Sequence, residues 1–320
     1  MQGNVFYFDW EVEFMEWFQG LLGDGAVKVF SLISALGETA IMVVIIGALY
    51  LCIDKEYGLY VGTNIMCTIT LNPFIKNIFL RRRPYFDNPG IKCLKPVDSS
   101  ADIYDITAQD YSFPSGHSTN STTAYVSLAR YRRTMGKRSV VLDIIAVLFP
   151  FLIGVSRVAL GVHYPTDVIA GWALGVAVSF LLPYILYKVK RKYLVFIGMA
   201  VIFLPGFFFC KTNDFYTGYG TMVGFYAAYI FEEKFVKFGK PKNFLFGLIR
   251  VVGCGAVYLG MNALLKLPFS SDFLTSASTA AFIVRAVRHA IVIFCVMGLY
   301  PWLFNYWETH SRKKEVSVSE

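Results

Sequence analysis

The sequence predicts an all-α integral membrane protein with about nine transmembrane helices. Three observations lead there. Of 320 residues, 56% are hydrophobic and 16% charged, where a soluble domain carries about 25% charged residues. Mean hydropathy is +0.51. Apolar windows of about 20 residues, the length that crosses a bilayer core, recur along the whole chain. Collagen-like chains, disordered tails, disulfide scaffolds and ordinary cytosolic enzymes are excluded by this composition.

Taken in order, residues 9–35 read as amphipathic or interfacial helix broken at Gly20, Gly23 and Gly25, and are not counted as a span. Residues 1–20 are acidic and aromatic, without the basic start of a cleavable signal peptide. Nine windows follow, near 38–54, 57–79, 117–134, 139–157, 165–187, 193–210, 217–233, 243–264 and 280–306. This divides the chain into interfacial N-terminal helices (1–37), a six-helix core (38–210) and three additional spans with a basic tail (211–320).

Charge sets the expected orientation. The chain carries 30 Lys and Arg against 22 Asp and Glu, a net +8. In a soluble protein this surplus would suggest nucleic acid. Here it gathers in short connections: Arg130, Arg132, Arg133, Lys137 and Arg138; Lys188, Lys190, Arg191 and Lys192; Lys234, Lys237, Lys240 and Lys242; and Arg312, Lys313 and Lys314 in the tail. All four fall on one face of a nine-span chain, which Lys/Arg enrichment makes cytoplasmic. The N-terminus is then outside and the C-terminus inside, with no nucleic-acid partner. Of six cysteines, four lie in apolar windows; Cys93 and Cys210 have no metal-ligand spacing and read as two free thiols rather than an outer disulfide.

One connection breaks the charge pattern. Residues 80–116 lie on the outer side yet hold Arg81, Arg82 and Arg83, with Lys76 just before. Three short segments explain it: Lys76 to Pro84, Ser112 to His117, and Ser156-Arg157 followed by His163 and Asp167. The span map puts all three on the outer face, so they can converge on one cleft. Lys76, Arg83 and Arg157 offer three positive charges to a phosphate dianion, with guanidinium forks that match its oxygens. Pro114 and Pro165 suit the first position of a helix, and the amides of Ser115, Gly116 and His117 would then form an anion-binding helix start. Gly116 leaves the backbone open to close approach. Asp167, one helical turn after His163, is placed to hold its imidazole in one tautomer. Two histidines without a metal-ligand cluster suggest covalent catalysis without a metal or other cofactor, one attacking phosphorus and one protonating the leaving oxygen.

These segments closely resemble the signature of the type-2 phosphatidic acid phosphatase superfamily: Lys-x6-Arg-Pro at Lys76, Arg83 and Pro84; Pro-Ser-Gly-His at Pro114 to His117; and Ser-Arg-x5-His-x3-Asp at Ser156, Arg157, His163 and Asp167. The resemblance covers about residues 38–188. It implies His163 as nucleophile, His117 as general acid and Asp167 as orienter, with Lys76, Arg83, Ser115, Gly116 and Arg157 binding phosphate. The nine-span layout is similar to that of glucose-6-phosphatases.

Other features carry expectations of their own. Arg81 and Arg82 read as side chains snorkelling to headgroups. Arg285, Arg288 and His289 share one helical face several residues into the last span. They read either as charges paired with Asp214 or Asp272, or as a second anion site. The acidic 85–111 stretch reads as a lid or a solvated loop. The function expected is a metal-independent phosphatase in a bacterial plasma membrane, acting through a phosphohistidine at the extracytoplasmic face. Its expected partners are membrane lipids, with a phosphorylated lipid as substrate: a polyprenyl diphosphate, phosphatidate or phosphatidylglycerol phosphate. A sugar phosphate or sphingoid-base phosphate is the alternative substrate. A non-catalytic phospholipid-binding or transport protein is a competing class, and a vanadate-dependent haloperoxidase, which shares the motifs, is disfavoured by nine hydrophobic spans.

Overall fold

A computed structural model describes residues 3–307. The basic tail residues Arg312, Lys313 and Lys314 therefore lie outside the described residues. Among the described residues the chain is helical throughout, apart from one isolated parallel bridge between Asn4 and Arg81. Two amphipathic helices, α1 (Asp9–Gly20) and α2 (Asp24–Ala35), lead into α3 (Thr39–Ala48), which runs on through a π turn at Leu49–Ile53. Then come α4 (Lys55–Phe79), a long connection, α5 (Gly116–Thr134), α6 (Val140–Ala159), α7 (Pro165–Lys188) and α8 (Lys192–Phe203). The last three long helices are α9 (Asn213–Phe231), α10 (Phe244–Leu264) and α11 (Thr279–Phe294), the last extended by a π turn at Cys295–Leu299.

Local chemistry starts these helices where they start. The side chains of Asp54, Ser115, Ser139, Asn243 and Ser278 each accept the amide that opens the first turn of α4, α5, α6, α10 and α11. Pro165 is the first residue of α7, as expected. Pro114 is not: Ser115 caps α5 and Gly116 begins it, leaving Pro114 one residue outside.

The expectation of nine spans is not confirmed. Among the described residues five helices are long and apolar enough to cross a membrane: α6, α7, α10, α8 with the turn that follows it to Phe209, and α11 continued to Trp307. The pair α2 and α3, bent by 42°, makes a sixth if it counts as one broken span. Helices α4, α5 and α9 have 25, 19 and 19 residues, so length is not what they lack. They form the interior of the bundle, where neighbouring helices rather than lipid receive their side chains, and there polar residues are tolerated if hydrogen-bonded. Asn64 donates to Ser127 across α4 and α5 at 2.9 Å, and Asn77 donates to Thr212 before α9 at 2.8 Å.

The interior helices approach closely. A Cβ at Gly171 of α7 would stand 2.8 Å from the carbonyl oxygen of Ser115, and one at Gly220 of α9 would collide with the carbonyl of Ala286 on α11. Beside the main core, a smaller cluster joins Met15 of α1 to Tyr85, Ile91, Val162 and Tyr164. It lies beneath the 160–164 turn between α6 and α7 and sets the position of His163.

Candidate active site

Four helix ends build the site. Lys76 stands in the last turn of α4, Gly116 and His117 open α5, Arg157 lies in the last turn of α6, and Asp167 is the third residue of α7. Lys76, Arg83, Gly116, His117, Arg157 and His163 line one cavity of about 230 Å³. The structure thus brings together residues separated by up to 87 positions. Ser115 and Asp167 are fully buried behind it.

His163 precedes α7 rather than sharing a helix with Asp167, yet its Nδ1 lies 3.4 Å from Asp167 Oδ2. The same carboxyl oxygen accepts the Tyr164 amide at 2.8 Å. A proton on Nδ1 facing this carboxylate leaves Nε2 with its lone pair. Burial, followed by the positive charges of Arg83, Arg157 and Lys76, pushes the His163 imidazole well below its usual pKa. The residue therefore rests neutral, with one ring nitrogen unprotonated.

The cationic side chains differ in how they are held. Lys76 is paired with Asp110 at 2.5 Å. Arg83 donates Nε to the Gln109 carbonyl at 2.7 Å and Nη1 to the Val162 carbonyl at 2.8 Å. Carbonyls orient this guanidinium without neutralising it. Arg157 donates Nη1 to Ser34 Oγ at 2.6 Å, while its Nε is buried without a protein partner among the described residues. A buried N–H without a partner costs about 1–3 kcal/mol, so a phosphate oxygen in this cavity would relieve a standing deficit.

The helix start of α5 departs from expectation at one amide. Ser115 N donates to the Asp167 carbonyl at 3.0 Å, so it is already used in joining α5 to α7. Gly116 and His117 stand at the first two helical positions, where backbone amides have no acceptor within the helix. Asn72, whose amide holds Pro114 O and Thr119 Oγ1 at 3.1 Å each, leaves only 3.3 Å between its Oδ1 and a Cβ placed at Gly116. A side chain at Gly116 would press on this support.

Arg81 overturns its reading as a snorkelling side chain. It is 2% exposed. Its Nη1 pairs with Asp167 Oδ1 at 2.7 Å, its Nη2 with Glu11 Oε2 at 2.9 Å, and its guanidinium lies 4.1 Å over the Tyr164 ring. Glu11 also accepts the amide and hydroxyl of Thr166, at 3.0 and 2.7 Å. Arg82, by contrast, is partly exposed and pairs with Asp87 at 3.1 Å. Sequence reasoning missed Glu11 and Arg81 as supports of Asp167. Glu11 carries no local signal, because its partner is 70 residues away.

The 85–111 stretch is no simple solvated loop. Ile91, Gln109 and Asp110 are buried, and Val97 and Asp110 line the cavity. All six cysteines are free, Cys93 and Cys210 included. Among the described residues no group of three or more His, Cys, Asp or Glu is placed to hold a metal. Arg285, Arg288 and His289 do come together, around a separate cavity of about 530 Å³ that Lys266 also lines. Arg285 donates to the Leu274 carbonyl at 3.3 Å and Arg288 to Asn262 Oδ1 at 3.2 Å, rather than to Asp214 or Asp272. His289 lines both this cavity and the one holding His117 and His163.

Comparison with known proteins adds a family context. Residues 57–191 match the model of the PAP2 superfamily, and residues 216–312 match that of the PAP2 superfamily phosphatase, transmembrane extension. The chain is 31% identical over 150 residues to the decaprenylphosphoryl-5-phosphoribose phosphatase of Mycobacterium tuberculosis (strain ATCC 25618 / H37Rv), covering 46% of this chain and 73% of that protein. It is 40% identical over 85 residues to phosphatidylglycerophosphatase B of Bacillus subtilis (strain 168), covering 25% of this chain and 42% of that one. It is 35% identical over 128 residues to an undecaprenyl-diphosphatase of Sulfolobus acidocaldarius, covering 40% and 54%. The chain thus spans about half the length of these last two relatives. The crystal structure of a PAP2-type phosphatidylglycerolphosphate phosphatase from Bacillus subtilis superposes with a TM-score of 0.45 at 27% identity, covering 57% of this chain and 86% of that one.

Proposed function

The chain belongs to the PAP2 superfamily, and on that premise we propose that it is a metal-independent membrane phosphatase hydrolysing a lipid phosphate or diphosphate. One observation carries the reading: Lys76, Arg83, Arg157, His117 and His163, drawn from helix ends and the connections beside them, line a single cavity, with Asp167 behind His163. Binding alone would not need both histidines. Relatives named for phosphatidylglycerophosphate, undecaprenyl diphosphate and a decaprenyl-linked phosphate support a lipid substrate.

In the proposed reaction, Nε2 of neutral His163 attacks phosphorus in line with the bond to the leaving oxygen. The N–P bond forms as the P–O bond breaks, and His117 gives its proton to the leaving oxygen. Lys76, Arg83, Arg157 and the amides of Gly116 and His117 meet the charge on the equatorial oxygens. Asp167, itself held by Arg81, stabilises the cationic ring of the phosphohistidine. Water, deprotonated by His117, then cleaves the N–P bond and releases inorganic phosphate. A monoester would leave an alcohol and a diphosphate a lipid monophosphate.

The basic connections support an orientation with the N-terminus and active site outside the cytoplasm and the C-terminus inside, in a bacterial plasma membrane. The site uses the C-terminal ends of α4 and α6 and the N-terminal ends of α5 and α7, opposite the ends carrying Arg130 to Arg138 and Lys188 to Lys192. The separate family matches at 57–191 and 216–312 support a division into N-terminal helices (1–37), a core (38–210) and an extension (211–320).

A second anion subsite at Arg285, Arg288 and His289 is favoured by the sharing of His289 between the two cavities. It would receive the distal phosphate of a diphosphate or a charged headgroup. Substitution of Arg285 by Ala should then raise KM for a diphosphate more than for a monophosphate, and an equal KM for every substrate would remove this subsite.

The main test is phosphate release by detergent-purified protein in EDTA. The panel holds undecaprenyl diphosphate, phosphatidate, phosphatidylglycerol phosphate, sphingosine phosphate and glucose 6-phosphate, with His163→Ala as blank. Release from a lipid, lost in the variant, is the expected result. Release from glucose 6-phosphate alone would replace the substrate class. Lipid binding with no turnover of any compound would move the chain to a binding or transport role.

A further inference from the structure

A second, larger cleft opens from the phosphate cavity. It measures about 410 Å³ and lies between α3 and α10, backed by Met66 of α4, Phe225 of α9 and Met297 after α11. Thr39, Val43, Met66, Thr221, Tyr258 and Ile293 line both this cleft and the cavity of the two histidines, so the two spaces are continuous.

The cleft has a direction. On α3 its lining runs from Thr39 at the helix start to Gly47, and on α10 from Leu259 back to Val251. At about 1.5 Å per residue, the eight rises of each nine-residue run span about 12 Å. One end adjoins the phosphate cavity at the helix ends, and the other lies at mid-helix, the depth of bilayer hydrocarbon. Half of the six shared residues are polar, Thr39, Thr221 and Tyr258, while Val44, Val251 and Val296 line the cleft alone.

We propose that this cleft seats the hydrocarbon chain of the phosphorylated lipid, with its phosphate held among Lys76, Arg83 and Arg157. The inference rests on the phosphatase reading above and adds the basis of its preference for lipid. Burial of apolar surface against these walls favours a long chain over a water-soluble phosphate, which has nothing to place there. Helix α10 and the turn after α11, both within the stretch matching the transmembrane extension, supply one wall. The extension thereby becomes part of the substrate site rather than an anchor alone.

Two glycines allow a direct test. A Cβ at Gly47 meets only Cys254 Sγ, at 4.0 Å, and one at Gly255 meets nothing within 4 Å. Both line the cleft and neither lines the phosphate cavity. Gly47→Phe and Gly255→Phe should lower kcat/KM for a long-chain lipid phosphate by about tenfold or more, through KM, since several buried methylenes are lost from contact. Turnover of p-nitrophenyl phosphate should stay at the wild-type level. Unchanged discrimination between the two substrates in both variants would overturn the proposal while leaving the phosphatase reading intact. Wild-type protein that cleaves neither substrate would overturn both.

Should a variant fail to fold, a second measurement on wild-type protein decides. A lipid phosphate with a diazirine at its chain end should label the peptides containing Val43–Gly47 and Val251–Cys254, and a matched neutral lipid should label them far less. Labelling confined to other helices, or equal labelling by the neutral lipid, would overturn the proposal.

Discussion

At the residue scale, His163 and Arg81 carry the sharpest expectations. Burial, and after it the charges of Arg83, Arg157 and Lys76, holds the His163 imidazole well below the usual pKa. As pH falls through that depressed value the ring gains a proton and loses its nucleophilic lone pair. The acid limb of kcat/KM should therefore lie below the ordinary imidazole value of about 6.5. Arg83→Gln removes one of the charges responsible and should move this limb upward as well as lower the rate, which a pH–rate profile would show. Arg81 acts through Asp167 and is a positioning residue. Arg81→Lys keeps the charge but not the fork that bridges Glu11 and Asp167. It should lower kcat by about 10²-fold with KM for the substrate little changed. Equal kcat in a steady-state comparison would deny Arg81 this role. Arg81→Met leaves two buried carboxylates unpaired and should destabilise the fold by about 3–5 kcal/mol, read as a lower Tm in detergent.

At the element scale, α1 is the unexpected contributor. Its outer face looks interfacial, with Trp10, Phe14 and Trp17 exposed, but Glu11 and Met15 on the other face are fully buried. Glu11 ties α1 to Arg81 and Thr166, and Met15 joins the cluster under His163. Met15→Asp should therefore reduce turnover and Tm together although Met15 touches no cavity residue's charge; a phosphate-release assay with thermal melting of the same sample checks this. The chemistry at the ends of α4 and α5 is visible in their motifs, but the place of α4, α5 and α9 in the bundle is not. Their polar residues, Asn64, Asn77 and Ser127 among them, weaken the apolar signal because each is answered by a partner from another helix.

At the scale of the whole molecule, the ends of the helices separate two chemistries. The histidines and their cations gather at one end, and the basic connections gather at the other. If the site faces outward, a cysteine at Lys92 should react with a membrane-impermeant maleimide on intact cells. A cysteine at Lys190 should react only after permeabilisation, and the reverse pattern would invert the orientation. If the two histidines carry the reaction as proposed, phosphate release should persist in EDTA, and vanadate should inhibit it as a phosphate mimic.

The sequence by itself determined the helical membrane class and singled out Lys76, Arg83, Gly116, His117, Arg157 and His163, which the fold brings to one cavity. Composition reports the solvent a chain must live in, and the spacings at Lys76–Arg83, Ser115–His117 and Arg157–His163–Asp167 are short enough to be read without knowing the fold. Only the tertiary structure decided what lies behind and beside that cluster. The bridge from Glu11 through Arg81 to Asp167 joins three distant parts of the chain. The pairing of Lys76 with Asp110 and the apolar cleft between α3 and α10 likewise need segments brought together from far apart. No local pattern encodes such contacts, because a buried charge is made tolerable by whichever partner the packing delivers, and a cleft exists only in the space between helices.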